Sequence, residues 1–178
     1  YKRQVRDAVP AALARTIHHG GLATIKAARI QAALRAITVT VPVEQPARGL
    51  SAGFATWLSD LATPEALTAL RRLPGVGPKT AACVLLFALG RPVMPVDTHV
   101  GRVSRRLGLI DATSSAVQAH AAFDAVLPPA LIYPLHILLI QHGRTVCRAR
   151  QPLCGQCVLL DLCPWGLEHT AGATPRDC

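Results

Sequence analysis

Leu73-Pro-Gly-Val-Gly-Pro-Lys-Thr80 is the stretch on which the fold turns. Residues 67–72 have the spacing of a helix before it, and residues 78–89 form a second apolar helical run after it. Gly75 and Gly77 permit a tight reversal through backbone conformations closed to other residues. Pro78 suits the first position of the second helix. The turn amides and that helix N-terminus together make an anion site. This is the form of a helix–hairpin–helix element, which grips nucleic-acid backbone without reading sequence. Leu73, Gly75, Val76, Gly77 and Thr80 are its expected DNA contacts; the bland reading is a plain turn between helices. A weaker second glycine turn, Gly20-Gly-Leu-Ala-Thr-Ile-Lys26, offers Lys26 as a further phosphate contact.

Outward from the hairpin, the chain reads as helix. Ala and Leu dominate, and apolar residues recur at helical spacing over 25–37, 67–70, 81–89 and 100–107. Thr63-Pro64-Glu65 sets an N-cap, a proline in the first helical position and an acid in the first turn. Asp97 is expected to cap another helix. Asp111-Ala-Thr-Ser114 prepares the next, which Pro128 and Pro129 close. Val39-Thr-Val-Pro-Val43 is the one strand-like stretch, and near Pro46 and Gly49 it reads as an extended loop. Residues after Gly166 read as a ragged tail. The fold class is all-α, built of several short helices.

The chain has 178 residues, enough for one large or two small domains with a real core. A hydrophobic share of 51% excludes intrinsic disorder. The most apolar run, residues 131–140, is far short of the roughly 20 needed to span a membrane, and no secretory signal is visible. The first residue is Tyr, so an N-terminal piece is expected to be missing. Lys and Arg number 19 against 10 Asp and Glu, a net charge of +9. That balance points to a polyanion, nucleic acid before a membrane surface. Seven aromatic residues are too few for gripping single strands by base stacking.

Only Lys2, Lys26 and Lys79 are lysines. Lys79 falls in the first turn of the helix after the hairpin, where a cation is electrostatically misplaced. A neutral amine there is what nucleophilic Schiff-base chemistry requires; the alternative is a phosphate-binding lysine. Asp97 is the only carboxylate between Glu65 and Asp111, among Arg71, Arg72, Lys79, Arg91, Arg102, Arg105 and Arg106. A lone acid in a basic zone either caps its helix or stabilises a cationic sugar and moves a proton, and the two roles are compatible.

Cys147, Cys154, Cys157 and Cys163 are spaced C-x6-C-x2-C-x5-C. Four crowded thiols in a helical, basic chain suit a metal better than disulfides. Zinc prefers paired knuckles, often with His. Cysteine-only loops with unequal gaps suit a [4Fe–4S] cluster, with zinc as the alternative. Such a cluster staples a short tail, and Arg148 and Arg150 in its loop would face phosphates. Cys83 reads as a core residue and Cys178 as incidental. His99 reads as satisfying a helix end, and His142 as touching phosphate or packing near the cluster. Tyr133, Trp57 and Trp165 read as packing aromatics.

Taken in order, L-P-G-V-G-x-K-T-A, V-D-T-H-V and C-x6-C-x2-C-x5-C resemble the endonuclease III family, from about Gly21 to Cys163. The resemblance implies a helix–hairpin–helix glycosylase fold with a helical barrel domain, residues 1–91, and an iron–sulfur cluster domain, residues 92–178. The active site would lie in the cleft between them, with Lys79 from the barrel side and Asp97 from the other. It implies a bifunctional DNA glycosylase and AP lyase acting on damaged double-stranded DNA. Lys79 would be its nucleophile, Asp97 its catalytic carboxylate, and the four cysteines its cluster ligands. Arg102 joins the expected DNA contacts. Oxidised pyrimidines are the implied lesions, and a cytoplasmic, nucleoid-associated monomer the implied setting. Family members carry further helices before the point where this sequence begins, and residues 38–59 are longer than in compact members. The rivals are a monofunctional glycosylase for alkylated or mismatched bases and a non-catalytic DNA-binding iron–sulfur module.

Overall fold

The computed structural model describes residues 2–40 and 49–170. Every regular element among them is helical. α1 (Lys2–Asp7), α2 (Pro10–Thr16), α3 (Ala23–Thr40), α4 (Gly49–Asp60) and α5 (Thr63–Arg71) precede the hairpin. α6 (Pro78–Cys83), α7 (Thr98–Arg106), α8 (Ala116–Val126), α9 (Pro129–Thr145) and α10 (Pro164–Thr170) follow it. Among the described residues, no helix is long and apolar enough to cross a membrane. The chain divides into two compact units, Tyr1–Gly77 and Pro78–Cys178. This break falls one helix before the 91/92 boundary that the family resemblance implies. The reason is packing: Leu86 joins Met94, Val96 and Val100 in the core of the second unit.

In the first unit, α1 and α2 pack on α3. Gln31 is buried in α3, and its amide donates to the carbonyls of Val5 and Ala8 at 3.1 and 2.7 Å. Those carbonyls close the end of α1, so one buried amide satisfies acceptors that the short helix cannot. α3 continues through Thr40, so Val39 and Thr40 end a helix and do not open an extended loop. The Thr38 hydroxyl donates to the Leu34 carbonyl at 2.7 Å, as a helical threonine does. The helical cost of the β-branched residues there is only tenths of a kcal/mol each, about 0.7 at most. Pro42, Pro46 and Arg48 lie outside the described residues. α5 starts one residue earlier than Thr63 would set it: Ala62 holds the cap position, and the Glu65 carboxylate accepts its N–H at 3.1 Å.

In the second unit, α6 runs directly into a π-helical turn, Val84–Ala88. An extended segment then leads to α7, which packs against α9. The core is made by Val100 and Val103 of α7, Phe123 of α8 and Ile132 and Leu139 of α9, with Met94 and Val96 from the extended segment. Ser115 caps α8 in a reciprocal pair with Gln118, at 3.3 and 2.9 Å. α10 carries helix to Thr170, where the sequence suggests a tail; residues 171–178, with Cys178, lie outside the described residues. Cys83 ends α6 half-buried, and is not the core residue its apolar surroundings suggest.

α7 and α9 approach closely at Gly143. A Cβ there would lie 3.0 Å from the His99 Cβ and 3.2 Å from Val103 Cγ2. Neither atom is the free end of a flexible chain, so Gly143→Ala should cost about 1–3 kcal/mol, read as a lower denaturation midpoint. His136 of α9 is 2% exposed, and burial holds its pKa below the ordinary histidine range. The unfolded chain therefore takes up a proton near pH 6.5 while the folded chain does not. Stability is complete above that pH and is lost below it, by up to about 1.4 kcal/mol per pH unit for this one group. Denaturant unfolding at pH 7.5 and 5.5 should show a smaller acid loss in His136→Leu than in the wild type.

Candidate active site and metal centre

The hairpin closes the first unit. Val76 N–H donates to the Leu73 carbonyl at 3.1 Å, Leu73 is buried, and Gly75 sits at φ +78°. A Cβ on Gly75 would lie 2.7 Å from the Arg29 Cδ, so both the backbone and the neighbour require glycine. Gly77 and Thr80 are exposed and Val76 is half-buried. Lys26 lies on α3, exposed, with its ammonium donating to the Gly20 carbonyl.

Lys79 is the second residue of α6 and is exposed. Asp97 caps α7 in extended backbone, with one carboxylate oxygen accepting the Val100 N–H at 2.7 Å. Both belong to the second unit, because residues 78–88 pack with the helices that follow. Burial, the largest effect, holds the buried His136 ring neutral, although the Asp97 charge favours its protonation and the Lys79 charge opposes it. Its Nδ1–H donates to the Pro95 carbonyl at 3.0 Å, and Phe87 meets the ring edge-on at 5.5 Å. Phe87 in turn packs against Tyr133 at 5.8 Å. The sequence shows His136 only as a polar break in an apolar run, and nothing in that run ties it to Lys79 or Asp97.

Arg102 faces inward, and the expected phosphate contact is replaced by an internal tie. Its guanidinium donates to the Cys147 carbonyl at 3.0 Å, the Gly143 carbonyl at 2.7 Å and His99 Nδ1 at 3.1 Å. The two carbonyls stand at the C-terminal end of α9, where carbonyls lack helical partners, and His99 lies one turn back on α7 itself. Arg102 thereby ties α7, the helix that Asp97 caps, to the cysteine loop. Arg148 and Arg150 are exposed in that loop, as expected.

Cys147, Cys154, Cys157 and Cys163 line one cavity, otherwise walled by apolar side chains such as Val103, Val146 and Leu160. Burial, and then the three other cysteines, push the Cys154 thiol up. Among the described residues, no three His, Cys, Asp or Glu side chains converge on a point that could hold a single ion. Four thiol sulfurs around one cavity are the donor set that an iron–sulfur cluster takes. Two of them already meet donors and a third faces a histidine ring nitrogen. Gly166 N–H is 3.3 Å from the Cys163 sulfur, Arg106 Nη1 is 3.3 Å from Cys147, and His142 Nε2 is 3.6 Å from Cys157. His142 thus packs at the cysteine cavity. The loop between the first two sulfurs is pinned by Leu153 N–H on the Val146 carbonyl at 3.0 Å.

Trp57 packs against Phe54 at 5.6 Å, and Trp165 stacks on His169 at 3.7 Å. Both are packing aromatics, as read, but Trp165 also receives Arg106, which the sequence does not single out.

Residues 3–129 match the family described as HhH-GPD superfamily base excision DNA repair protein. Residues 147–163 match the iron–sulfur binding domain of endonuclease III. The cofactor is accordingly a [4Fe–4S] cluster. Endonuclease III of Thermotoga maritima is 39% identical over 100 residues, 56% of this chain and 46% of that protein. The Escherichia coli enzyme is 42% identical over 102 residues, 57% of this chain and 48% of that one. The chain spans about half the length of these curated relatives. A solved structure of a trapped endonuclease III–DNA covalent intermediate aligns with a TM-score of 0.76 at 30% identity, over 95% of this chain and 71% of that one. Helical architecture, hairpin and cysteine loop agree with these matches, and the chain belongs to the HhH-GPD superfamily of base excision DNA repair proteins.

Proposed function

We propose that this protein is a bifunctional DNA glycosylase and AP lyase that removes damaged bases from duplex DNA. The observation that carries the reading is Lys79, exposed in the first turn after the hairpin, together with Asp97, the one carboxylate of that basic stretch, fixed as the cap of α7. A relative trapped as a covalent intermediate with DNA supports a reaction that passes through a covalent step. The target nucleotide is flipped out of the stack before reaction. The free amine of Lys79 attacks C1′ of the deoxyribose, the C1′–N bond breaks, and the base leaves with a proton. Asp97 stabilises the positive charge on the sugar and moves the lysine proton. Its cap fixes one oxygen at 2.7 Å from the Val100 nitrogen, so the carboxylate cannot swing away. The resulting Schiff base acidifies the C2′ protons, and β-elimination breaks the strand on the 3′ side of the lesion.

Hairpin amides and exposed basic residues hold the phosphates, among them Lys26, Arg148 and Arg150. The [4Fe–4S] cluster, held by Cys147, Cys154, Cys157 and Cys163, supplies cross-linking of a loop too short to form its own core. The family expectation for the lesion is an oxidised pyrimidine, and the working form is a monomer associated with the nucleoid.

Borohydride trapping on duplex DNA with an abasic site tests the reaction. Wild type should give a covalent adduct and Lys79→Ala none, while both bind the duplex. An adduct from Lys79→Ala overturns the assignment. Absence of an adduct from cluster-loaded, DNA-binding wild type favours a monofunctional or binding-only protein. Asp97→Asn should slow base release by about 10²–10⁴-fold and leave the melting temperature nearly unchanged, since asparagine also caps helices.

A further inference from the structure

Arg106, in the last turn of α7, is held on every side by the cysteine loop and α10. Its Nη1 lies 3.3 Å from the Cys147 sulfur and 2.8 Å from the Arg148 carbonyl, and its Nη2 lies 3.4 Å from the Ala149 carbonyl. The guanidinium carbon sits 4.0 Å above the Trp165 ring, and that ring is stacked at 20° on His169. The Arg106 carbonyl lies 3.2 Å from the Cys163 sulfur, so one residue touches two of the four thiols. The other donors are different in kind. Cys163 receives a neutral peptide N–H from Gly166, and Cys157 faces the ring of His142. Among the described residues, Cys147 alone receives a guanidinium.

A cation spent this way does little for stability alone, because two carbonyls and a thiol can be satisfied by neutral donors. Its charge matters once the sulfurs carry a cluster. Adding an electron increases negative charge on the ligand sulfurs, and a charged donor stabilises that state more than the oxidised one. A planar fork can serve the sulfur and both carbonyls while lying flat on an indole; an ammonium cannot. We propose that Arg106, clamped on Trp165, is a positioning residue that donates a charged hydrogen bond to the Cys147 sulfur and raises the one-electron reduction potential of the iron–sulfur cluster. The proposal rests on the four cysteines holding that cluster.

The test compares the full chain with Arg106→Lys, Arg106→Gln and Trp165→Leu, all prepared without oxygen. Iron and acid-labile sulfide content and the visible absorption of the cluster establish loading, and voltammetry gives the midpoint with the electrode as electron source. The expected midpoints fall from wild type to Lys to Gln, and Trp165→Leu falls below wild type because its guanidinium is unclamped. If Arg106→Gln fails to hold a cluster, Arg106→Lys and Trp165→Leu decide. Midpoints equal to wild type in every variant that loads overturn the role of Arg106 and leave the cluster reading intact. Wild type that carries zinc, or no iron and sulfide, overturns the cluster reading and the proposal with it.

Discussion

The approach of α7 to α9 at Gly143 is the constraint that the second unit is arranged around. With no Cβ at that point, the first turn of α7 can lie against the helix, with His99 within 3.0 Å of where one would be. Closeness here does three things at once. It seals Val100, Val103 and Leu139 in one core. It brings Arg102 within 2.7 Å of the Gly143 carbonyl. It also carries Arg106, one turn further on, to the first cysteine of the loop. Asp97 starts this same helix, so its placement and that of the cysteine loop share one frame.

The same arrangement holds the one aspartate of this basic stretch as a helix cap. Capping consumes one oxygen and fixes the carboxylate rotamer. Burial keeps His136 neutral, so it adds no charge to a region already rich in cations.

The hairpin, the cap at Asp97 and the cysteine loop were legible in the sequence because each depends on local rules. Glycines mark a turn, Asp marks an N-cap, and cysteine spacing marks a metal loop. The helical class followed from periodicity for the same reason. What stayed hidden depends on contacts across about 40 residues of chain. Arg102 looks like a phosphate contact on paper, and only the carbonyls at the end of α9 turn it inward. His136 looks like an interruption until Pro95 is seen to accept its proton. Gly143 reads as an ordinary helical glycine until α7 is laid beside it. Val39 shows the opposite failure, a local β preference overruled because α3 was already under way.

The inward arginines change what the composition says about binding. Arg102, Arg105 and Arg106 donate to backbone carbonyls within their own unit. Their charge still contributes to the long-range field, but their guanidinium groups are not free to replace counterions at phosphates. The number of ions released on association is therefore set by the exposed basic side chains and falls short of what the net charge of +9 suggests. A polyanion would be drawn in by the whole charge of such a protein and would lose fewer ions than that charge implies.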